Sequence, residues 1–316
     1  MTHPDSLTIL ITDGLQDSAI AILEKVASVQ NRPDISADDL LQAVPSADAM
    51  IVRGRTKVTA AVLESAANLK VVGRAGVGVD NIDLETAKSK HVAVVNAPQS
   101  TSVAVAEHAF ALLLALARQV PLADAGLRRG EWLKKKIKGF ELFGKTLGII
   151  GMGRIGAHVA SRAAGFGMLC LGYDPLIPDD EIAKRGAQPA ELNSLLNRSD
   201  ILTLHVPLTP DTRGLINAER IAQMKNGVRI ICTARGGIID ETALLDSLES
   251  GHVAGAALDV FAKEPVGDSP LVTHPKVVCT PHIAAQTAEA QERAARDIAE
   301  EVLTVLRGDT PRWRVA

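Results

Sequence analysis

The stretch TLGIIGMGRIG, residues 146–156, joins a short apolar run to the spacing G-x-G-x-x-G. The apolar run predicts a buried strand and the following AHVASRAAGF predicts a helix, so the glycines lie in the turn between them. In such a turn Gly151 permits the tight bend, Gly153 lets a pyrophosphate approach the backbone, and Gly156 lets helix and strand pack closely. The helix also begins there with free N–H groups and a positive dipole end. The stretch therefore predicts a dinucleotide-binding βαβ unit.

The strand after this helix, MLCLGYD at residues 168–174, ends in an acidic residue. Asp174 lies 18 residues after Gly156, close to the spacing of about 20 that such units show. A carboxylate at this point can accept hydrogen bonds from both ribose hydroxyls and repels a 2′-phosphate. We therefore expect NAD, and not NADP, as the cofactor.

Short apolar strands alternate with helical patterns on both sides of this motif. In the second part of the chain, six strands are predicted at residues 146–151, 168–174, 201–206, 229–234, 255–260 and 276–281. In the first part, strands are predicted at residues 7–12, 49–54, 70–76 and 92–97. Residues 103–117 are apolar nearly all round and predict a buried helix, and a long helix closes the chain. This alternation indicates an α/β fold with two doubly wound parallel-sheet domains.

Composition and charge limit the classes of function. The 316 residues are 47% hydrophobic with a net charge of −3, which fits about two globular domains and excludes a broad basic surface for nucleic acid. The run AFALLLALA is far shorter than the ~20 residues that cross a bilayer, and the N-terminus lacks a secretory pattern. Cys170, Cys232 and Cys279 lie in apolar segments without metal-ligand spacing. We expect a cytoplasmic protein that binds no metal, membrane or nucleic acid.

A second glycine-rich stretch, GRAGVGVDN at residues 73–81, also follows a predicted strand. It lacks the third glycine of the dinucleotide motif, and the strand after it ends in Asn96 instead of an acid. Consecutive backbone N–H groups in such a turn can bind an anion. We expect the N–H groups from Ala75 to Gly78, with Arg74 beside them, to hold a carboxylate. A plain glycine turn is the structural alternative.

Three polar side chains follow late strands of the second sheet. Arg235 comes directly after RIICTA, Glu264 comes after GAALDVFAK, and His282 comes after KVVCTP. Because ligands of doubly wound sheets bind beyond the carboxyl ends of the strands, we expect the three side chains at the edge that carries the dinucleotide loop. Each also has a structural explanation by itself: a surface ion pair, a helix cap and an ordinary loop histidine.

The chemistry of the three residues suits hydride transfer. Reducing a carbonyl needs a hydride, which a nicotinamide supplies, and a proton, which a histidine can give near neutral pH. A carboxylate can orient the imidazole, and an arginine can bind a 2-oxo acid through two hydrogen bonds. His205 ends another strand at this edge and is expected near the cofactor. The remaining histidines are interpreted as structural: His3, His91, His108, His158, His252 and His274.

Eight motifs, in order, resemble those of a known family. They are IVRGRTKVT, VVGRAGVGVDNIDL, GKTLGIIGMGRIG, GYDP, LHVPLTPDTRGLI, ARGGIIDETALL, GAALDVFAKEP and TPHIAAQT. The chain resembles the D-isomer-specific 2-hydroxyacid dehydrogenases from about residue 7 to its end. The resemblance implies a Rossmann NAD domain at residues 100–288 inserted into a smaller flavodoxin-like substrate-binding domain at residues 1–99 and 289–316. From this resemblance we expect a short form of the family, without the C-terminal regulatory domains of its longer members.

The resemblance also implies roles for single residues. Arg235 would bind the substrate carboxylate, and His282 would be the acid/base with Glu264 as its partner. NAD would contact Gly151, Gly153, Arg154, Ile155, Gly156, Asp174, His205, Val206, Pro207, Thr212, Thr233, Ala234 and Asp259. Substrate would contact Arg53, Arg74, Ala75, Gly76, Val77 and Gly78 as well as Arg235. A homodimer formed through the helix near residues 103–118 is implied too.

The substrate hypothesis rests on the members that the chain resembles most, which oxidise D-3-phosphoglycerate at the entry to serine biosynthesis. Arg53, Arg55, Arg74 and the run KKKIK at residues 134–138 can supply cations for a phosphate, although such a run also fits a solvated face. One alternative is a reductase of another 2-oxo acid, of the hydroxypyruvate, glyoxylate, lactate or sulfolactate type. Another is a non-catalytic, corepressor-like protein that uses NAD to control assembly with partners.

Overall fold

The computed structural model describes residues 7–316, which divide into two compact units. The first comprises the chain up to Thr101 together with Gln286–Ala316, and the second comprises Ser102–Ala285. Along the chain, the second unit is thus inserted into the first. His3 and the first residues of the expected first domain lie outside the described residues.

The first unit contains a five-stranded sheet in which every neighbouring pair is parallel. Its strands are β1 Thr8–Ile11, β2 Ser28–Asn31, β3 Ala49–Val52, β4 Val71–Arg74 and β5 Ala93–Asn96. Their spatial order, β2-β1-β3-β4-β5, is the flavodoxin-like order. The sequence does not predict β2, because SVQN has no apolar run and its residues stay partly or fully exposed at the sheet edge.

Helices cover both faces of this sheet: α1 Asp17–Leu23, α2 Ala37–Ala43, α3 Ala60–Ser65, α4 Leu84–Ser89 and the C-terminal helix Ala288–Leu306. The C-terminal helix buries Ile298 and Val302 among apolar side chains of the strands. Gly73 on β4 permits this close approach, since a Cβ there would lie 2.6 Å from a methyl carbon of Val302. The C-terminal helix therefore contributes to the hydrophobic core of the first sheet.

The second unit contains a seven-stranded parallel sheet in the order β12-β11-β10-β9-β6-β7-β8. Its strands are β6 Thr146–Ile150, β7 Leu169–Tyr173, β8 Gln188–Pro189, β9 Ile201–Leu204, β10 Val228–Cys232, β11 Val253–Leu258 and β12 Val277–Cys279. The six predicted strands are confirmed, and the two-residue β8 is added at an edge. The strand order reverses between β6 and β9, which places the ligand crevice of a doubly wound sheet beyond their carboxyl ends.

The helices of this unit are α5 Ser102–Arg118, α6 Val120–Arg128, α7 Arg154–Gly165, α8 Asp179–Lys184, α9 Leu192–Arg198, α10 Ala218–Ala222, α11 Glu241–Ser250 and α12 Pro270–Thr273. The prediction of a buried helix at residues 103–117 is confirmed, because α5 packs beside α7 and buries Phe110, Leu112 and Leu113. Among residues 7–316, no single helix is long and apolar enough to cross a membrane. By length and composition, α5 and α6 pass that test only as a pair, bent by 64°.

Candidate active site

Two glycines of the loop after β6 are required by packing, and one leaves open space. Gly151 has φ +93°, in the left-handed region that favours glycine, and a Cβ there would lie 2.5 Å from the carbonyl oxygen of His205. A Cβ on Gly156 would lie 2.1 Å from the carbonyl oxygen of Gly151. Apart from the glycine and its two chain neighbours, no described residue has an atom within 4 Å of an ideal Cβ on Gly153. The fold therefore does not need glycine at 153, which fits a position kept open for a ligand.

The N-terminus of α7 faces this loop without a side-chain cap. Gly153 is the N-cap of the 12-residue helix and makes no side-chain capping hydrogen bond. The N–H groups of Arg154 and Ile155 lie in the first helical turn and so have no intrahelical acceptor. Helix N-termini of this kind bind anions such as phosphates. The expected pyrophosphate contacts of these residues stay a prediction that the geometry permits.

Asp174, just beyond the end of β7, is held by backbone groups. One carboxylate oxygen accepts the Met152 N–H at 2.9 Å, and the other accepts the Leu176 N–H at 3.0 Å. Arg185 donates to the Met152 carbonyl oxygen at 2.7 Å, so both sides of this part of the loop are held. The glycine spacing of the sequence does not predict this hydrogen bond from Arg185. These bonds keep the carboxylate at the end of the strand, and its expected preference for ribose hydroxyls over a 2′-phosphate stays a prediction.

Two buried polar atoms at neighbouring strand ends have no hydrogen-bond partner among the described residues: Nδ1 of His205, after β9, and Oγ1 of Thr233, after β10. Nε2 of His205 lies 2.9 Å from Oγ1 of Thr203. Burial lowers the pKa of His205 to about 3, so its ring is neutral at physiological pH and is no proton donor. Because buried polar groups are nearly always paired, these two atoms are candidates for contacts with a ligand or water, and their expected contact with NAD stays a prediction.

The other residues expected at the cofactor follow the same two strands. Val206 is half-buried, Pro207 is exposed, and Ala234 is buried. Thr212 uses its hydroxyl inside its own loop, where it donates to the Pro207 carbonyl oxygen at 2.6 Å and accepts the Thr209 N–H at 2.8 Å. Thr212 thus shapes this loop, and its cofactor contact stays a prediction.

The loops that follow β10 and β11 are packed together. A Cβ on Gly236 would lie 1.8 Å from the carbonyl oxygen of Phe261, so only glycine fits there. Arg235 precedes that glycine and donates from Nη1 to the Ala234 carbonyl oxygen at 2.7 Å. The segment that Gly236 touches continues into Glu264. The structure therefore brings the Arg235 loop against the segment that leads into Glu264.

His282 and Glu264 form a direct pair, with 2.7 Å between Nδ1 and Oε2. The other carboxylate oxygen of Glu264 accepts the Phe261 N–H at 3.0 Å, which fixes the carboxylate. An ionised carboxylate only accepts, so Nδ1 of His282 carries the hydrogen and Nε2 is the nitrogen left to exchange a proton. The side chains are 45% and 37% exposed, so the pair is accessible to a substrate.

The loop that carries His282 is built on Asp259, which is fully buried. Its carboxylate accepts the N–H groups of Ile283 and Ala284, each at 2.9 Å, and the Thr280 hydroxyl at 2.6 Å. The His282 N–H donates to the Asp259 carbonyl oxygen at 2.8 Å, and His282 has φ +54°, unusual for a residue with a Cβ. Asp259 thus shapes the loop that carries His282, and its expected contact with NAD stays a prediction.

The hydrogen bonds also explain the ionisation of Asp259. Burial by itself would raise the pKa of this carboxyl. The bonds from His108, Thr280 and the Ile283 and Ala284 N–H groups outweigh burial and hold the pKa of Asp259 below its usual range. The loop therefore contains a carboxylate that stays charged inside the protein.

His108, on α5, reaches this loop from the core. Its Nε2 lies 3.0 Å from Oγ1 of Thr280 and 3.4 Å from Oδ1 of Asp259. The sequence indicates a structural role for His108 but does not identify these two partners. They lie more than 150 residues away in sequence, so no local pattern indicates them. In the sequence, this histidine and the adjacent Glu107 interrupt the apolar residues of α5, and nothing nearby identifies the partners of His108.

The glycine-rich loop of the first unit differs from the expected anion cradle. The Ala75 N–H donates to the Val52 carbonyl oxygen at 2.9 Å, and the Gly76 N–H donates to the Arg74 carbonyl oxygen at 2.8 Å. The Arg74 side chain fills the space beside Gly76 and donates to the Ala75 carbonyl oxygen at 3.1 Å. Two of the four expected donors are therefore used within the loop. Val77 and Gly78 carry the N–H groups that stay candidates for a substrate contact.

Two further arginines of the first unit differ in their surroundings. Arg53 lies beside Gln291 and 3.5 Å from Gln286, and burial lowers the pKa of its guanidinium against the opposing effect of Asp13. Arg55 donates to the Thr12 carbonyl oxygen at 2.7 Å and lies 3.3 Å from the Asp13 carboxylate. Arg55 is therefore engaged in holding strand ends together, and Arg53 is the better candidate for an anion.

The three cysteines are free thiols. Burial raises the pKa of each thiol, Cys170, Cys232 and Cys279, to about 11. At neutral pH they stay protonated and are poor nucleophiles. Within residues 7–316 no group of three or more His, Cys, Asp or Glu residues has the arrangement of a metal site.

A family model described as the NAD-binding domain of D-isomer specific 2-hydroxyacid dehydrogenases matches residues 110–284. That segment contains the glycine loop, Asp174 and all three of Arg235, Glu264 and His282. The D-3-phosphoglycerate dehydrogenase of Methanocaldococcus jannaschii is 51% identical over 302 residues, which are 95% of this chain and 58% of that protein. The chain thus spans a little over half the length of this curated relative.

Two solved structures are similar to nearly the whole chain. The TT0316 protein from Thermus thermophilus has a TM-score of 0.88 at 36% identity, covering 98% of this chain and 100% of that one. A glyoxylate reductase from Paecilomyes thermophila has a TM-score of 0.90 at 29% identity, covering 99% of each chain. Both likenesses extend over the two units described above.

Proposed function

Since this chain belongs to the D-isomer specific 2-hydroxyacid dehydrogenase family, we propose that it oxidises D-3-phosphoglycerate to 3-phosphohydroxypyruvate with NAD, the first step of serine biosynthesis. The observation that carries the proposal is the direct pair of Glu264 and His282, on loops packed against Arg235. The identity of 51% to a relative with that name supports the choice of substrate.

The residues present fit NAD, whose binding domain the family model describes. Gly153 leaves open space, and the first turn of α7 offers N–H groups without a side-chain cap. The Met152 N–H of the same loop holds the Asp174 carboxylate in place. Nδ1 of His205 and Oγ1 of Thr233, which have no hydrogen-bond partner among the described residues, offer further polar contacts. When bound, NAD supplies the acceptor for the hydride that leaves carbon 2 of the substrate.

The chain's own residues perform the proton transfer and hold the substrate. His282 takes the hydroxyl proton of the substrate on Nε2 while Glu264 keeps Nδ1–H directed away from it. In the reverse direction the same nitrogen returns the proton to the carbonyl oxygen. Arg235 binds the substrate carboxylate and keeps the reacting carbon oriented. We retain Arg53, Arg74, Val77 and Gly78 as proposed substrate ligands, because a phosphorylated acid needs additional cations and N–H donors.

We also propose that the chain forms a homodimer. The helix α5, where the resemblance placed the contact, buries most of its apolar residues within its own unit. Besides Val103 on α5, several exposed apolar side chains lie on α6 and the segment after it: Val120, Leu122, Leu127, Trp132 and Phe143, of which the last two are each 79% exposed. A second copy of this chain is the expected occupant, and sedimentation should show a dimer that Trp132→Ser weakens.

The three protonated thiols support a reducing, cytoplasmic location.

A reductase of an unphosphorylated 2-oxo acid is the second candidate. The observation in its favour is the structural likeness to a glyoxylate reductase, with a TM-score of 0.90 at 29% identity. Both candidates use the same pair of residues and differ only in the group that follows carbon 2. The two candidate functions therefore differ in whether the substrate carries a phosphate, and not in the proton transfer.

A panel assay tests the proposal. NADH consumption is measured with phosphohydroxypyruvate, hydroxypyruvate, glyoxylate, pyruvate and sulfopyruvate. We expect kcat/KM for phosphohydroxypyruvate to exceed the others by about 10-fold or more, because a site built to bind a phosphate leaves its cations without that partner when the acid has none. A higher value for an unphosphorylated acid would favour the second candidate. NADH binding without turnover of any acid would favour the corepressor-like alternative.

A further inference from the structure

His108 is an unusual residue for its position in the fold. It lies on α5, where Phe110, Leu112 and Leu113 are buried, and its own side chain is only 18% exposed. A polar ring in such a place is costly unless it is hydrogen-bonded. Its partners, Thr280 and Asp259, belong to the segments that shape the His282 loop.

The direction of the hydrogen bonds in this cluster follows from the number of protons available. The Thr280 hydroxyl has one hydrogen and donates it to Oδ1 of Asp259 at 2.6 Å. The same hydroxyl must therefore accept from His108 at 3.0 Å, so Nε2 of His108 carries a hydrogen. The result is a chain of donors that runs from a core helix to a buried carboxylate.

The carboxylate at the end of this chain fixes the backbone on the far side of the catalytic histidine. Asp259 accepts the N–H groups of Ile283 and Ala284, which directly follow His282 in sequence. His282 itself has φ +54°, a conformation that a residue with a Cβ keeps only when its surroundings impose it. Loss of one partner should let this segment relax toward commoner backbone angles.

We propose that His108 is a positioning residue for the proton transfer. It holds Thr280 and Asp259 so that the loop keeps His282 in its left-handed conformation with Nδ1 on Glu264. The proposal rests on the proposed function, because His108 acts only through His282. It assigns no contact between His108 and substrate or cofactor.

Two variants test the hydrogen bond itself. His108→Leu removes the donor and keeps an apolar side chain in the core, whereas His108→Gln keeps an N–H at similar reach. We expect His108→Leu to lower kcat by about 10-fold, since small misplacements of a reacting group cost up to about 100-fold. The Kd for NADH, measured by fluorescence, should stay within about 2-fold, and His108→Gln should recover most of the rate.

A double-mutant cycle tests whether the effect passes through Thr280. Thr280→Val removes the hydroxyl at nearly constant volume, and it should lower kcat about as much as His108→Leu. The double variant should then be about as slow as either single variant, because residues of one network are not additive. The matched control is His158→Leu on α7, which makes the same change at a half-buried histidine outside the cluster and should leave kcat unchanged. Independent, multiplying losses in the double variant would overturn the proposal.

Hydrogen exchange makes the test independent of turnover. The amide protons of Ile283 and Ala284 should exchange about 10-fold faster in His108→Leu than in the wild type, with the core strands unaffected. Unchanged exchange at these two amides would overturn the positioning role, as would a general loss of protection together with a lower melting temperature. If the wild type turns over no acid, the proposed function fails, and the exchange rates still decide whether His108 holds the loop.

Discussion

The two glycine-rich loops of the molecule start alike and are held in opposite ways. Each follows a central strand of a parallel sheet, β4 in the first unit and β6 in the second. In the first unit, the Arg74 side chain fills the space beside Gly76, and the Asn96 amide donates to the Val77 carbonyl oxygen at 2.7 Å. In the second unit, Gly153 faces open space, and Asp174 accepts the Met152 N–H.

The difference shows which features of a glycine loop mark a dinucleotide site. The Asn96 amide at the end of the next strand donates into its loop, whereas the Asp174 carboxylate accepts from its loop and leaves its charge at that strand end. The third position of the motif acts in the same way. Asn81 donates to the carbonyl oxygens of Arg53 at 3.0 Å and Thr56 at 2.7 Å, whereas Gly156 lets a helix start against the loop. The loop that has the third glycine and the acid is the one within the segment that the NAD-binding family model matches.

The largest effect is expected from Gly156→Ala. The added Cβ would lie 2.1 Å from the Gly151 carbonyl oxygen, so α7 must move away from the loop. We expect the Kd for NADH to rise by about 100-fold or more and the melting temperature to fall by roughly 5–10 °C. Gly165→Ala in the same helix, where no atom of the described residues lies within 4 Å, is the control and should be neutral or slightly stabilising. Wild-type NADH affinity in Gly156→Ala would contradict the role given to this glycine.

The next effect concerns the acid at the end of β7. Asp174→Ala removes the charge that repels a 2′-phosphate and also the acceptor for the Met152 N–H. We expect the preference for NADH over NADPH in kcat/KM to fall by about 10-fold to 100-fold, the range of one or two hydrogen bonds to a charged group. Asp174→Asn separates the two contributions, because it keeps an acceptor and loses the charge. Equal discrimination in all three proteins would show that another residue selects the cofactor.

A smaller effect is expected from Gly153→Ala, because the fold has room for this methyl group. The melting temperature should stay within about 2 °C of the wild type, while the Kd for NADH rises by about 10-fold. The two glycine variants together sharpen the comparison, since one loses packing and affinity and the other loses affinity alone. Gly76→Ala in the first-unit loop should leave NADH affinity unchanged. An equal loss of NADH affinity in Gly76→Ala would remove the distinction between the loops.

The sequence predicts the parts of this molecule that depend on local pattern. Apolar runs and the glycine spacing are sufficient for the six main strands of the second sheet, for α5 and for Asp174. Short edge strands such as β2 and β8 carry too few apolar residues to be seen. The spacing at strand ends also predicts that Glu264 and His282 meet, because parallel strands end at one edge. It does not predict how His282 is held, since the link from His108 through Thr280 to Asp259 joins distant parts of the chain.

The smallest effect concerns acid and follows from the same contrast between amides and acids. The first-unit loop is held by Asn81 and Asn96, which do not titrate, whereas the His282 loop of the second unit is held by the Asp259 carboxylate. Because hydrogen bonds hold the pKa of Asp259 below its usual range, the folded protein binds this proton less readily than the unfolded chain does. The resulting stability is present above the unfolded value of about 3.9 and is lost as the pH falls through the folded value. In Asp259→Asn the melting temperature should be lower at pH 7 but should fall less steeply between about pH 5 and 3. A slope equal to that of the wild type in a thermal-shift series would show that other carboxylates account for the acid sensitivity.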